Sequence, residues 1–314
     1  MKNLTTATKT IIDTIGNTPL VELKNLNENP SVRVFAKLEG QNPTGSLKDR
    51  IALFMLEAAE KSGGLKKGQT ILEATSGNTG ISLAMLSRLK GYGLKVVMPD
   101  NVTKERSQMI QAYGAEIVYS EGEKGTNGAI EMADELAKDG DYYRLDQYSN
   151  AANVDAHYKT TGPEILKELE TVDYLVAGLG TGGTLMGLGK RLKEHNPDCR
   201  SIAIQPYPQA GLSGLRNVGD GFVPAILDFS LIDENVIVKD IDAFKATKKL
   251  LEVEGIFAGI SSGAAATEAV KLASRIEKGT IVTVFPDSGW KYISQGIWTR
   301  PAEDISSEYS GPLW

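Results

Sequence analysis

Two glycine-rich turns constrain this chain more than any other feature of its sequence. Ser76–Gly80 and Gly178–Gly183 each follow a β-branched apolar run and open a helical pattern, one in each half of the chain. Runs of this kind recur at Thr70–Ala74, Leu94–Met98, Ala115–Tyr119, Asp173–Ala177, Ser201–Gln205 and Thr280–Phe285. They are nearly continuous in apolar residues, which fits strands covered on both faces. Between them lie amphipathic patterns, Leu47–Lys61, Thr79–Lys90, Asn127–Lys138, Pro163–Leu169, Ala243–Glu254 and Ser262–Ile276. In the first of these, Ile51, Phe54, Met55, Ala58 and Ala59 share one side. Strand–helix alternation predicts an α/β fold with parallel sheets and right-handed crossovers. Ligands of such sheets bind beyond the carboxyl ends of the strands. Two sheets facing each other would bring both turns to one cleft. The length of 314 residues suggests about two domains, and the polar stretch Tyr148–Asn153 is the expected boundary.

Composition narrows the partners. Hydrophobic residues at 41% exclude wholesale disorder. The 33 glycines exceed ordinary usage without a Gly-X-Y period, which assigns them to tight turns and close backbone approaches. Asp and Glu number 40 against 34 Lys and Arg, for a net charge of -6. The pairs Lys66-Lys67 and Lys248-Lys249 make no basic stripe, so nucleic acid and anionic membrane are poor partners. Cys199 is the sole cysteine, and His157 and His195 are the only histidines. Neither an internal disulfide nor a metal site is expected. No apolar run reaches the ~18 residues of a membrane span. The N-terminal stretch lacks a sustained apolar core and is interrupted by Asp13, so a cytoplasmic location is expected.

The second turn reads VAGLGTGGTLMG, residues 176–187. Adjacent glycines leave backbone N–H groups bare at a helix N-terminus, which suits a phosphate. Thr181 and Thr184 add hydroxyls. Gly178, Gly180 and Gly183 also satisfy G-x-G-x-x-G, but a dinucleotide needs an acidic residue ending the next strand, and Gln205 stands there. One phosphate is the better fit, with tight helix–strand packing as the bland alternative. In the first turn, Thr75, Ser76, Asn78 and Thr79 put small polar groups at a helix start. They suit a carboxylate, or simply cap the helix. Lys48 follows the turn residues Pro43, Gly45 and Ser46 and falls in the first turn of a helix. The helix dipole opposes a cation there and should lower its pKa, as Schiff-base chemistry requires. The alternative is a surface lysine paired with Asp49. Activated lysine, phosphate cradle and carboxylate loop together point to pyridoxal phosphate acting on an amino acid.

The sequence resembles the cysteine synthase family of fold-type II pyridoxal-phosphate enzymes over nearly its whole length. TIGNTPLVEL (14–23), KLEGQNPTGSLKDR (37–50), EATSGNTGISLAM (73–85), MPDNVTKERSQMIQAYGAEI (98–117), HYKTTGPEI (157–165), GTGGT (180–184) and EGIFAGISSGAA (254–265) carry the likeness in order. It implies two doubly wound α/β domains of the tryptophan synthase β-like architecture. Residues 43–150 would form the smaller, substrate-loop domain, and 1–42 with 151–314 the larger, phosphate-binding one. It further implies that Lys48 carries the cofactor as an internal aldimine and moves the substrate α-proton. Asn78 would bond the ring hydroxyl oxygen, and Gly180, Thr181, Gly182, Gly183 and Thr184 would hold the phosphate. Ser261 would meet the pyridine nitrogen, while Thr75, Ser76, Thr79 and Gln147 would clamp the substrate carboxylate. Ala151 replaces the usual proline of N-P-x-N, loosening the turn beside Gln147. His157 reads as structural and not as a base.

The implied reaction is β-replacement on an activated L-serine through an α-aminoacrylate, giving L-cysteine. MPDN and AYGAE resemble the B or M type, and GLRNVGDGFVP (214–224) resembles the O-phosphoserine-using branch. There Arg216 would bind the substrate phosphate, since a guanidinium fork suits a dianion better than a neutral acetyl ester. Its structural alternative is a salt bridge with Asp220. DSGWKYIS (287–294) and the tail ending in Trp314 resemble the same branch, with ordinary packing favoured over a lid for the tail. O-phospho-L-serine is therefore favoured over O-acetyl-L-serine. The sulfur donor stays open among sulfide, thiosulfate and a sulfur-carrier thiocarboxylate, and only the last needs a protein partner. A homodimer is implied by the resemblance. Rivals on the same scaffold are cystathionine β-synthase and cysteine desulfhydrase or lanthionine-type activity. A non-enzymatic binding protein is disfavoured by the intact Lys48, Asn78, phosphate loop and Ser261. A nicotinamide-dependent dehydrogenase fails on Gln205.

Overall fold

The computed structural model describes residues 10–208 and 212–308. The chain runs β1 (Leu20–Glu22), β2 (Val32–Leu38), α1 (Lys48–Ser62), β3 (Thr70–Ala74), α2 (Asn78–Lys90), β4 (Gly93–Pro99), α3 (Lys104–Ala112), β5 (Glu116–Ser120), α4 (Gly125–Asp139) and β6 (Tyr142–Arg144). It continues α5 (Ala151–Ala156), α6 (Gly162–Glu168), β7 (Tyr174–Gly178), α7 (Gly183–His195), β8 (Arg200–Pro206), β9 (Glu234–Val238), α8 (Asp240–Glu254), α9 (Ile260–Arg275), β10 (Gly279–Phe285) and α10 (Ala302–Glu308). A π-helical segment, His157–Thr161, joins α5 to α6.

The strands form two sheets. One has six strands in the order β1-β2-β10-β7-β8-β9, and the other has four in the order β5-β4-β3-β6. Every pairing is parallel except β1 with β2. Both faces of each sheet are covered. Along β7, Val176 enters a core with α8 and α9, while Leu175 and Ala177 enter the opposite core with α6 and α7. In the four-stranded sheet, Ile71 packs with α1 and α2, and Leu72 packs with Ala129 and Ala133 of α4. This alternation is the period-2 geometry of a strand acting on an apolar run. Hence the central strands read as uninterrupted hydrophobic sequence.

Elements that sequence periodicity missed have specific causes. β2 contains Arg33 and Lys37. Lys37 is fully buried because its ammonium donates to Thr18 O at 2.6 Å and pairs with Glu164 at 2.8 Å. α3 buries only Arg106 and Ile110, so no apolar stripe marks it. β1, β6 and β9 are edge strands, three to five residues long, and mostly half-exposed.

Candidate active site

Both glycine-rich turns lie at carboxyl ends of strands, after β3 and after β7. They face one cleft. Lys48, Thr75, Ser76, Asn78, Thr79, Gln147, Gly180, Thr181 and Arg216 all line it. Gly182, Gly183, Thr184 and Ser261 are not among its lining residues.

Lys48 is the first residue of α1. Leu47 is the N-cap and offers no side-chain cap, while Ser46 Oγ accepts from the Lys48 N–H at 3.3 Å. Burial lowers the Lys48 amine to about 8, against the opposing charge of Asp287. Asp49 does not bond the lysine. It accepts from the N–H of Thr44 at 2.7 Å and from the Thr44 hydroxyl. The amine thus faces the cleft from a partly buried position.

The first turn is shaped by Gly77, the N-cap of α2, with φ of 153° and no side-chain cap. A Cβ there would lie 2.4 Å from Arg106 Cδ, so only glycine fits. Side-chain capping is therefore not what Ser76 and its neighbours do at this helix start. Thr75 Oγ1 accepts from the Gly77 N–H at 3.1 Å. Thr79 Oγ1 donates to Gln147 Oε1 at 2.7 Å, and Gln147 Nε2 donates to Ala74 O at 3.1 Å. Backbone N–H groups of Asp146 and Gln147 donate to Glu73, whose carboxyl burial pushes up to about 7 against the pull of Arg144. Ala151 does not leave the adjoining turn loose. Asn150 caps α5 by accepting from the Ala152 N–H at 3.0 Å.

In the second turn Gly182 is the N-cap of α7 with φ of 93° and no side-chain cap. The Gly183 N–H makes a long bond to Thr181 Oγ1 at 3.5 Å, and no N-cap side chain covers this helix start, as suits an anion site. A Cβ at Gly180 would sit 2.9 Å from Gly214 O, and one at Gly183 only 1.9 Å from Asn153 Oδ1. Asn153 Nδ2 in turn donates to Thr181 Oγ1 at 2.9 Å. His157 is fully buried between Thr161 Oγ1 (3.0 Å from Nδ1) and Thr184 Oγ1 (3.2 Å from Nε2). Burial lowers its imidazole to about 3, which leaves it neutral and a very weak base near neutral pH. Gln205 donates to Asn235 and accepts from the Val218 N–H, a structural role. Ser261, buried near the start of α9, lies behind Gly214, where a Cβ would reach its Oγ at 3.5 Å.

Arg216 is 8% exposed and donates from Nη1 to Asn127 Oδ1 at 2.8 Å. Its guanidinium lies 5.2 Å from the Tyr148 ring centroid and 4.6 Å from that of Phe222. The Trp314 tail lies outside the described residues.

Sequence reasoning missed four charged or polar groups. Arg106 lines the cleft, donates to Ser76 O and Ser213 Oγ, and stacks on Tyr292 at 4.9 Å. From the far end of the chain, Asp287 and Lys291 bond Asn78, and the Tyr292 hydroxyl donates to Asp287. Only the resemblance of DSGWKYIS marked that segment. Among the described residues lining the cleft, three are cationic (Lys48, Arg106 and Arg216) and none is acidic. No group of His, Cys, Asp or Glu suited to a metal ion occurs among the described residues. No helix there is long and apolar enough to cross a membrane.

Comparison with known proteins agrees with this architecture. A family model described as pyridoxal-phosphate dependent enzyme matches residues 11–287. A cysteine synthase of Staphylococcus aureus is 43% identical over 299 residues, covering 92% of this chain and 96% of that protein. Cysteine synthase B of Pseudomonas aeruginosa is 41% identical over 290 residues, covering 92% and 97%. The crystal structure of a cysteine synthase (OASS) from Entamoeba histolytica superposes with a TM-score of 0.88 at 34% identity, covering 99% and 97% of the two chains. With parallel sheets, a partly buried lysine and a glycine cradle meeting at one cleft, the chain belongs to the pyridoxal-phosphate dependent enzymes, in the branch of the cysteine synthases.

Proposed function

We propose that the protein makes L-cysteine by β-replacement, with O-phospho-L-serine preferred over O-acetyl-L-serine. The observation that carries this reading is the charge of the cleft. Lys48, Arg106 and Arg216 line it with no acidic residue in the lining, and both guanidinium groups are buried. Buried cations held without a carboxylate in the lining favour an anionic occupant.

The residues present fit pyridoxal phosphate. The uncapped start of α7 and the glycines that admit no Cβ suit its phosphate, and Lys48 supplies an amine low enough in pKa to bond it. When bound, the cofactor supplies an electron sink for a carbanion next to an amino group. The chain's residues do the remaining work. Thr75, Ser76, Thr79 and Gln147 hold the substrate carboxylate. Asn78 would bond the ring hydroxyl oxygen and Ser261 the ring nitrogen, while Gly180 to Thr184 would hold the phosphate. A hydroxyl such as that of Ser261, unlike a carboxylate, would not hold the ring nitrogen protonated, which would favour prompt loss of the β-substituent. Lys48, as a free amine beside the bound substrate, would take the proton from the substrate α-carbon and later return it. Arg216, already oriented by Asn127 and two aromatic rings, receives the leaving phosphate.

The sulfur donor is sulfide, thiosulfate or a carrier thiocarboxylate. A homodimer in the cytoplasm completes the proposal. Cys199 fits a reducing compartment: it is buried, unpaired, and pushed up by burial to about 12. Arg216→Ala tests the substrate. The kcat/KM for O-phosphoserine should fall about thirtyfold or more, the scale of a charged hydrogen-bonded contact, with O-acetylserine little changed. Equal losses for both esters would overturn the assignment.

A further inference from the structure

Lys291 is fully buried, and its ammonium donates to Asn78 Oδ1 at 2.7 Å. On the other end of the same amide, Asn78 Nδ2 donates to Asp287 Oδ2 at 2.7 Å. Asp287 is itself buried and held by the Tyr292 hydroxyl at 2.6 Å. The Asn78 amide is thus clamped between a cation at its oxygen and a carboxylate at its nitrogen. Turning it over would set its N–H₂ against the ammonium and its oxygen against the carboxylate, two repulsive contacts in a buried site. One amide N–H is spent on Asp287, which leaves the second free to donate from the cleft wall.

We propose that Lys291, acting with Asp287, is a positioning residue that fixes the Asn78 amide so that it presents an N–H, and never its oxygen, to the cofactor ring oxygen. This rests on the assignment of Asn78 and Lys48 to pyridoxal phosphate. The charges facing Lys291 come from several elements: Lys48 and Asp49 from α1, Arg106 from α3, and Asp287 from the segment after β10. Among the described residues the Lys291 side chain hydrogen-bonds the substrate loop at Asn78 alone and the phosphate loop nowhere, so its effect travels through Asn78.

The test is Lys291→Met in the full-length protein, read by titration with pyridoxal phosphate and by the absorption spectrum of the bound cofactor. Loss of the oriented donor should weaken cofactor binding about tenfold and move visible absorbance toward the near ultraviolet. Lys291→Arg should restore both readouts in large part, because it keeps a charged donor. In an Asn78→Ala background the Lys291→Met change should add nothing further, since the amide it orients is gone. Lys291→Gln, a neutral donor, replaces Lys291→Met should that variant not fold, with an intermediate shift expected. An unchanged spectrum and affinity in Lys291→Met, or an undiminished effect in the Asn78→Ala background, would overturn the proposal. A wild-type protein that takes up no cofactor, or a Lys48→Ala variant that keeps the visible band, would instead overturn the assignment beneath it.

Discussion

A lysine that must act as a nucleophile near neutrality has to shed its proton, and burial does this for Lys48. With the amine near 8, about a tenth is neutral at pH 7, against well under a thousandth for a free lysine side chain. The neutral fraction grows as pH rises, so cofactor loading onto the apo-protein should accelerate from pH 6 and level off above about 8. Stopped-flow absorbance across pH checks this, and a rate still climbing through pH 10 would contradict it. The position of Lys48 was legible because glycine, proline and serine announce a turn before a helix. The cause of its activation was not, since burial of the amine is set by the folded chain and not by its local sequence. Arg106, Asp287 and Lys291 were illegible for a related reason. Each reads in the sequence as an ordinary charged surface residue, and only the fold buries it.

At the scale of elements, the strand-to-helix turn after β7 makes the clearest demand. Gly183 opens α7 where a Cβ would meet Asn153 Oδ1, and Asn153 holds Thr181 in place. Gly183→Ala should weaken pyridoxal phosphate binding about tenfold, the scale of an overpacked contact. Far-UV circular dichroism should stay unchanged, and fluorescence titration measures the affinity. Undiminished binding would show that the cradle tolerates displacement. Central strands β3, β4, β7, β8 and β10 were readable because both faces are apolar. β2 was hidden by Lys37, whose charge is cancelled by Glu164 across the fold. α3 was hidden because its buried residues include Arg106, a side chain that periodicity counts as polar.

Across the whole molecule, the proposed division at 43–150 makes Arg50 a tie between the two parts. It pairs with Glu39 at 2.7 Å and with Glu164 at 2.6 Å, and Arg50 and Glu39 are almost wholly buried. Arg50→Met would strand the Glu39 carboxylate and should cost about 3–5 kcal/mol, read from urea unfolding. A loss below about 1 kcal/mol would mean the tie is dispensable. Burial opposes the charge on Glu164, yet bonding to Arg50 and Lys37 holds it down to about 2. Its contribution is therefore full above the ordinary glutamate range near 4.5 and fades as pH falls toward 2. The same two parts enclose the cleft, so the reaction is the direct test of the account. Purified protein loaded with pyridoxal phosphate would be mixed with sulfide and either O-phospho-L-serine or O-acetyl-L-serine, and cysteine and the released anion quantified together. The account predicts one phosphate released per cysteine formed, at higher kcat/KM than the acetyl ester supports. Cysteine from O-acetylserine alone, or phosphate release without cysteine, would contradict it.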